Sequence, residues 1–314
     1  MRRVLGLLFL ACLSAHAQTI TYSFGSGANQ FSIDFVTIGN PGNVADTTGM
    51  PNPSGSVGYI YNLGKYEVSR DMISQANAVG GLGITMTDMS SLGGNGGNRP
   101  ANGISWYEAA RFVNWLNTSS GGVAAYKFDS SGAFQLWSPG DSGYSAANPY
   151  RNSLASFWLP NVHEWYKAAY GSPRGAWYNF PNGSDVQPTS TEAVYGQLSG
   201  GPGETGPVNV DQAGVLSPWG TMGQGGNITE WMENAYDGVN DSPNEVREVR
   251  GGSWVGFPSF LESTMSGGAE PDREFLHTLG DAYVGFRVAG VPEPSSFSFL
   301  FVGGLVLMAR RNKS

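Results

Sequence analysis

Cysteine is almost missing from this chain: of 314 residues, the one thiol is Cys12. It sits in residues 1–17, whose Met1-Arg2-Arg3 start, short apolar run and Ala15-His16-Ala17 small-residue site have the three parts of a secretory signal peptide. Removal of that segment ahead of Gln18 leaves a mature chain with no sulfur nucleophile. Disulfide staples and thiolate metal sites are thereby excluded, and stability has to come from packing, hydrogen bonds and bound ions. Histidine is nearly as scarce, with three, and only His163 and His277 lie beyond the signal. Their spacing, over a hundred residues, gives no positive sign of a histidine metal site. Charged residues make up 13% of the chain, about half the usual share of ~25%. The formal net charge is -8, so the basic footprint required by nucleic acid is lacking and no such partner is expected. No Gly-x-Ser-x-Gly elbow occurs, which removes the ordinary serine-hydrolase arrangement. Internal repeats and heptads are absent as well.

Glycine is what the chain has in excess, 46 of 314, roughly twice the average of about 7%. A loop-rich domain over residues 18–290 is the expectation, with few short helices. Phe31, Ile33 and Phe35 alternate and then fall out of phase at Val36 and Ile38, which predicts a strand with a bulge. Residues 39–58, rich in Gly and Pro, read as a surface loop, and residues 57–68 as a second strand. Ser69 can cap a helix over residues 70–79. Ser105-Trp106-Tyr107-Glu108 is a capping box opening a helix with Trp106, Ala109, Ala110, Val113 and Leu116 on one face. Glu108 and Arg111 on it are read as a cap and a solvated charge, not as catalysts. Asn161 and Glu164 form a second box, with Gly171 closing the helix.

The C-terminal stretch, residues 291–314, is a separate module. Pro292-Glu293-Pro294 precedes an apolar run, residues 295–309, and an Arg310-Arg311 cluster. At 1.5 Å per residue the run covers about 22 Å, short of a comfortable membrane span, and its basic end would stay cytoplasmic. The tripartite tail resembles the PEP-CTERM sorting signal. The resemblance implies recognition by an exosortase in the cell envelope of a Gram-negative-type bacterium that secretes exopolysaccharide, with a membrane contact through the segment before processing. A permanent anchor is the alternative; in both, the domain faces outward.

Three blocks carry the main resemblance: Gly225-Gly226-Asn227-Ile228-Thr229-Glu230-Trp231, Arg250-Gly251-Gly252-Ser253-Trp254 and Gly285-Phe286-Arg287. With Tyr66-Glu67-Val68-Ser69, Ser105-Trp106 and Leu159-Pro160-Asn161-Val162-His163-Glu164-Trp165, they occur in the order found in the formylglycine-generating, or sulfatase-modifying-factor, family. The resemblance implies an α+β fold related to C-type lectin-like domains, with small mixed and antiparallel sheets. It also implies what to look for in the site. Active members of that family hold copper with a cysteine pair after Gly-Gly-Ser, and those positions are Gly256 and Leu261 here. Met265 is nearby, but one thioether cannot replace two thiolates. The family's calcium set would comprise backbone oxygens of Gly226 and Ile228 with the carboxylate of Glu230, while its Asn ligand falls at Gly223. Glu230 bonded to neighbouring backbone amides is the bland alternative. The resulting expectation is an exported, non-catalytic binding or scaffold protein of the extracellular polysaccharide matrix, with calcium as its one candidate cofactor. Trp177, Tyr178 and Trp219 are candidate sugar platforms or else core. An oxidoreductase related to formylglycine-generating enzymes or iron-dependent sulfoxide synthases, and a passive coat component, are the alternatives.

Overall fold

The computed structural model describes residues 19–197, 206–272 and 283–292. The signal segment, His277, Glu293, Pro294, Arg310 and Arg311 lie outside the described residues. Among those described, no helix is long and apolar enough to cross a membrane.

The first sheet has five strands, all pairs antiparallel, in the order β1 (Thr19–Phe24), β2 (Phe31–Ile38), β3 (Tyr61–Gly64), β11 (Ala289–Gly290), β6 (Phe157–Trp158). β2 pairs without the expected bulge. Phe35 and Val36 point to opposite faces, and both are buried because both faces are covered. β3 is shorter than the sequence predicts, since Tyr59 and Ile60 lie exposed ahead of it. A second sheet orders β10 (Val284–Gly285), β7 (Thr229–Ala235), β8 (Arg247–Arg250) and β9 (Gly267–Ala269), with β10 parallel to β7. Two-residue strands β4 (Lys127–Phe128) and β5 (Phe134–Gln135) form a small hairpin in the stretch that otherwise reads as irregular.

The helices start where local chemistry places them. In α1 (Arg70–Gly80) the Ser69 hydroxyl accepts from the Met72 amide. In α2 (Trp106–Ser119) and α3 (Val162–Tyr170) both halves of a capping box are formed, by Ser105 with Glu108 and by Asn161 with Glu164. Glu108 is therefore a cap. α1 touches β2 and α2 touches β6 on the first sheet, while α3 lies against β7 on the second. The core fills the space with aromatics: Phe31 stacks on Phe112 and Trp115 at 6.1 and 5.8 Å, each buried phenyl contributing about 1.5–3 kcal/mol. Two indoles tie α2 to the second sheet reciprocally. Trp106 Nε1 donates to the Met232 carbonyl at 2.9 Å, and Trp231 Nε1 to the Ile104 carbonyl at 2.7 Å.

The 39–58 loop is pinned to α3: Tyr166 donates to Asp46 Oδ2 at 2.6 Å, Lys167 Nζ to the Asn40 carbonyl at 2.9 Å, and the Gly55 amide to His163 Nδ1 at 3.3 Å. Trp219 is 5% exposed and belongs to the core, which corrects its candidacy as a sugar platform. Trp177 and Tyr178 are half-buried, and Trp177 packs on Tyr166 at 5.6 Å.

Candidate functional site

The three sequence blocks meet on the second sheet. β7 carries Glu230 opposite Arg250 of β8 on one side and Gly285 of β10 on the other. Arg287, just beyond β10, reaches back to Glu230 with both prongs: Nε to Oε2 and Nη2 to Oε1, each at 2.6 Å. Both side chains are fully buried. Trp165 Nε1 adds a third donor, to Oε2 at 2.8 Å, and the remaining guanidinium hydrogens go to the carbonyls of Gly64 and Met222 at 2.9 Å and of Lys65 at 3.4 Å. Fixed bidentate geometry is what makes arginine fit here and lysine not.

Glu67, 1% exposed, lies beside this pair. Asn227 Nδ2 donates to both its oxygens at 3.1 and 3.2 Å, and Asn227 holds a left-handed backbone, φ 59°, so that its Oδ1 can accept from the Val208 amide at 2.9 Å. Burial first, and Glu230 next, push the Glu67 carboxyl well above its ordinary 4.5, against the pull of Arg287 and Asn227. The sign for stability follows. Below about pH 4.5 the group is protonated in both states and contributes nothing. As pH rises, the unfolded chain releases the proton that the folded chain retains, so stability falls. Glu67→Gln is expected to flatten this decline: comparing denaturation midpoints at pH 5 and pH 8, wild type should lose more than the variant. Equal losses would show that Glu67 is not the group responsible.

The residues expected to hold calcium do not fit that role. Glu230 has both oxygens engaged by side chains, not by backbone amides, and a cation placed on them would face the Arg287 guanidinium. Gly223, where the family's Asn ligand would stand, has φ 78°, and a Cβ there would come 2.8 Å from the Glu67 carboxylate. Glu67 thus takes the space, and Gly226 and Ile228 are left framing an ion pair. Sequence reasoning missed Glu67; its signal was the carboxylate inside the Tyr66-Glu67-Val68-Ser69 block.

Arg250 clamps distant loops, donating to the Met50 and Ser263 carbonyls at 2.7 and 3.0 Å and to Glu248 at 3.0 Å. Gly251 and Gly252 follow with φ 96° and 67°, a pair that side-chain-bearing residues adopt only with strain. The turn opens a cavity of about 420 Å³ with walls from Val249, Val255, Phe257, Phe260, Met265 and Tyr283. No Cys, His, Asp or Glu lines it among the described residues. Gly256 is in its wall, and a Cβ there would meet the Phe260 ring at 3.0 Å and the Ser253 carbonyl at 3.3 Å. Leu261 does not line this cavity. It is fully buried in a separate cluster with Phe180 and Ala193. The copper set implied by the resemblance therefore has no ligand at either position and does not fit. His163 lies elsewhere, half-buried on α3, its imidazole pulled below its usual range by desolvation.

A family model described as "Sulfatase-modifying factor enzyme 1-like domain" matches residues 43–291. Among solved structures, the chain is similar to Treponema denticola variable protein 1, at 19% identity, TM-score 0.58, covering 87% of this chain and 99% of that one. CarF is similar at 18% identity and TM-score 0.61, covering 83% and 99%, and PvdO from Pseudomonas aeruginosa at 16% and 0.52, covering 86% and 98%. At such identities these likenesses show the fold alone. Comparison with curated proteins finds no match.

Proposed function

The chain belongs to the sulfatase-modifying factor enzyme 1-like family, and from that premise we propose that it is an exported binding or scaffold protein in which the cavity beside Gly251-Gly252 has kept its form without thiol chemistry. The observation that carries this reading is the wall of the cavity. Gly256 has no side chain, Leu261 faces another cluster, and the lining offers apolar surface with a few hydroxyls and Arg250, whose guanidinium is tied to Glu248 and to the Met50 and Ser263 carbonyls. Such a lining suits capture of an apolar group, since burial of its surface drives binding and the described lining holds no carboxylate, imidazole or thiol to act as base or sulfur nucleophile. The leader-like N-terminus, residues 1–17, and the Pro292-Glu293-Pro294 tail support export and exosortase sorting to the outer surface. There the partner we favour is extracellular polysaccharide, met by a surface other than this apolar cavity.

The test is oxygen uptake. Purified full chain, given copper(I) or iron(II) and a cysteine-bearing peptide under air, is expected to consume no more oxygen than the metal and peptide alone. Uptake that depends on both protein and peptide, with metal held stoichiometrically, would overturn the reading in favour of an oxidoreductase.

A further inference from the structure

A second concavity, of about 630 Å³, lies between the 136–149 segment and the 238–241 turn that joins β7 to β8. β7 is seven residues long, so at about 3.3 Å per residue the turn is roughly 20 Å from the Gly251-Gly252 cavity at the other end of the hairpin. Its sides are Trp137, Tyr144, Pro139, Pro149 and Val239, with Asp241 at the turn.

The groove is held in shape by its own hydrogen bonds. The Trp137 amide donates to the Pro149 carbonyl at 2.9 Å, and its indole N–H to the Ala125 carbonyl at 3.0 Å. Asn240 Nδ2 donates to Asn148 Oδ1 at 2.9 Å, and Asn148 Nδ2 to buried Glu233 at 2.6 Å. With the indole N–H engaged, Trp137 has only ring surface to offer. Trp137 and Tyr144 are each half-buried, and Val239 is 53% exposed.

Charge narrows the occupant. Among the described residues no Lys or Arg lines the groove, and Asp241 is its one charged residue. Lys127, 5.7 Å from the Trp137 ring centre, is tied to Asp141 at 2.7 Å. With that ammonium already paired, an anionic ligand would meet no free counter-charge among the described residues. Asp241 is the single carboxylate among the described lining residues, and one carboxylate on an open turn is a poor trap for a cation. Aromatic plates, proline edges and a carboxylate acceptor suit an uncharged ligand with an apolar face and a hydroxyl rim. A pyranose has that form, C–H bonds on one face and hydroxyls around the edge.

We propose that this groove binds an uncharged saccharide, stacked on Trp137 and Tyr144, with Asp241 accepting from its hydroxyls. The proposal rests on the reading of the chain as a binding protein and gives that reading a site. The test is calorimetry of the full chain in a detergent without a sugar headgroup, titrated with neutral glucan, mannan and galactan oligosaccharides and with an anionic uronan. Binding of at least one neutral series and not of the uronan is expected. Trp137→Ala should weaken it at least tenfold, and Val239→Asp, at an exposed position that leaves folding intact, similarly. Val44→Ser, at a site 85% exposed and outside the groove, should leave affinity unchanged. Neutral-sugar binding untouched by folded Trp137→Ala and Val239→Asp would overturn the site and leave the binding reading standing. Preference for the uronan would overturn the assignment of ligand. No binding to any saccharide would overturn this proposal together with the polysaccharide partner, whereas the oxygen-uptake test judges the loss of catalysis separately.

Discussion

Replacing Arg287 with methionine is expected to lower the unfolding free energy by about 3–5 kcal/mol, because it leaves a buried carboxylate without its partner. The size comes from what remains behind. Glu230, fully buried, would retain only the Trp165 indole as a donor, and the neighbouring Glu67 would lose the one cation that offsets Glu230. The Gly64 and Met222 carbonyls would lose the guanidinium donors as well. For a domain of this size, such a loss corresponds to a fall in melting temperature of roughly 6–20 °C. Adding Glu230→Gln to Arg287→Met should restore part of it, since a neutral amide is cheaper to bury than an unpaired charge. A single variant within 1 kcal/mol of wild type by denaturant titration would show that the ion pair does not organise the second sheet.

Gly226→Ala is the second large effect, and its mechanism is steric. A Cβ on Gly226 would stand 2.2 Å from the Val194 carbonyl oxygen. That oxygen accepts from the Asn227 amide at 2.8 Å, while the Gly226 amide donates to Gly251 at 2.8 Å. Relief of the clash disturbs both bonds, each worth about 1 kcal/mol, on top of overpacking of ~1–3 kcal/mol and a left-handed backbone penalty of ~1–2 kcal/mol. The total is roughly 4–7 kcal/mol, enough to empty the folded state of many domains. Gly42→Ala isolates the backbone part. Gly42 has φ 74° with nothing within 4 Å of its would-be Cβ, so about 1–2 kcal/mol is expected. Equal losses for the two variants, read from urea midpoints, would remove the steric account.

Helix starts were legible in the sequence because the chemistry that makes them is contained in four residues: Ser105 through Glu108, and Asn161 through Glu164. β7 and β8 were not legible from alternation. Glu230, Glu233, Arg247, Glu248 and Arg250 are all buried there, and a strand with charged residues facing inward does not show an apolar period. Their burial depends on partners from elsewhere in the chain, such as Arg287 for Glu230. Arg247 is the extreme case, its guanidinium lying 3.9 Å from the Tyr150 ring centre and 4.4 Å from that of Trp106, rings contributed by two other segments. The family resemblance singled out Gly256, which lines the cavity, and Leu261, which does not. It did not reveal that Glu67 fills the space beside Gly223, because that contact joins residues 156 positions apart whose spacing has no pattern.

β11 has a consequence for how the protein is made. Its two residues, Ala289 and Gly290, slot between β3 and β6 and pair with both, so β3 and β6 cannot join one sheet until residues 289–290 have been synthesised. Until that rung arrives, β6 has no partner among the described strands, so the first sheet closes late whatever the order in which its earlier strands form.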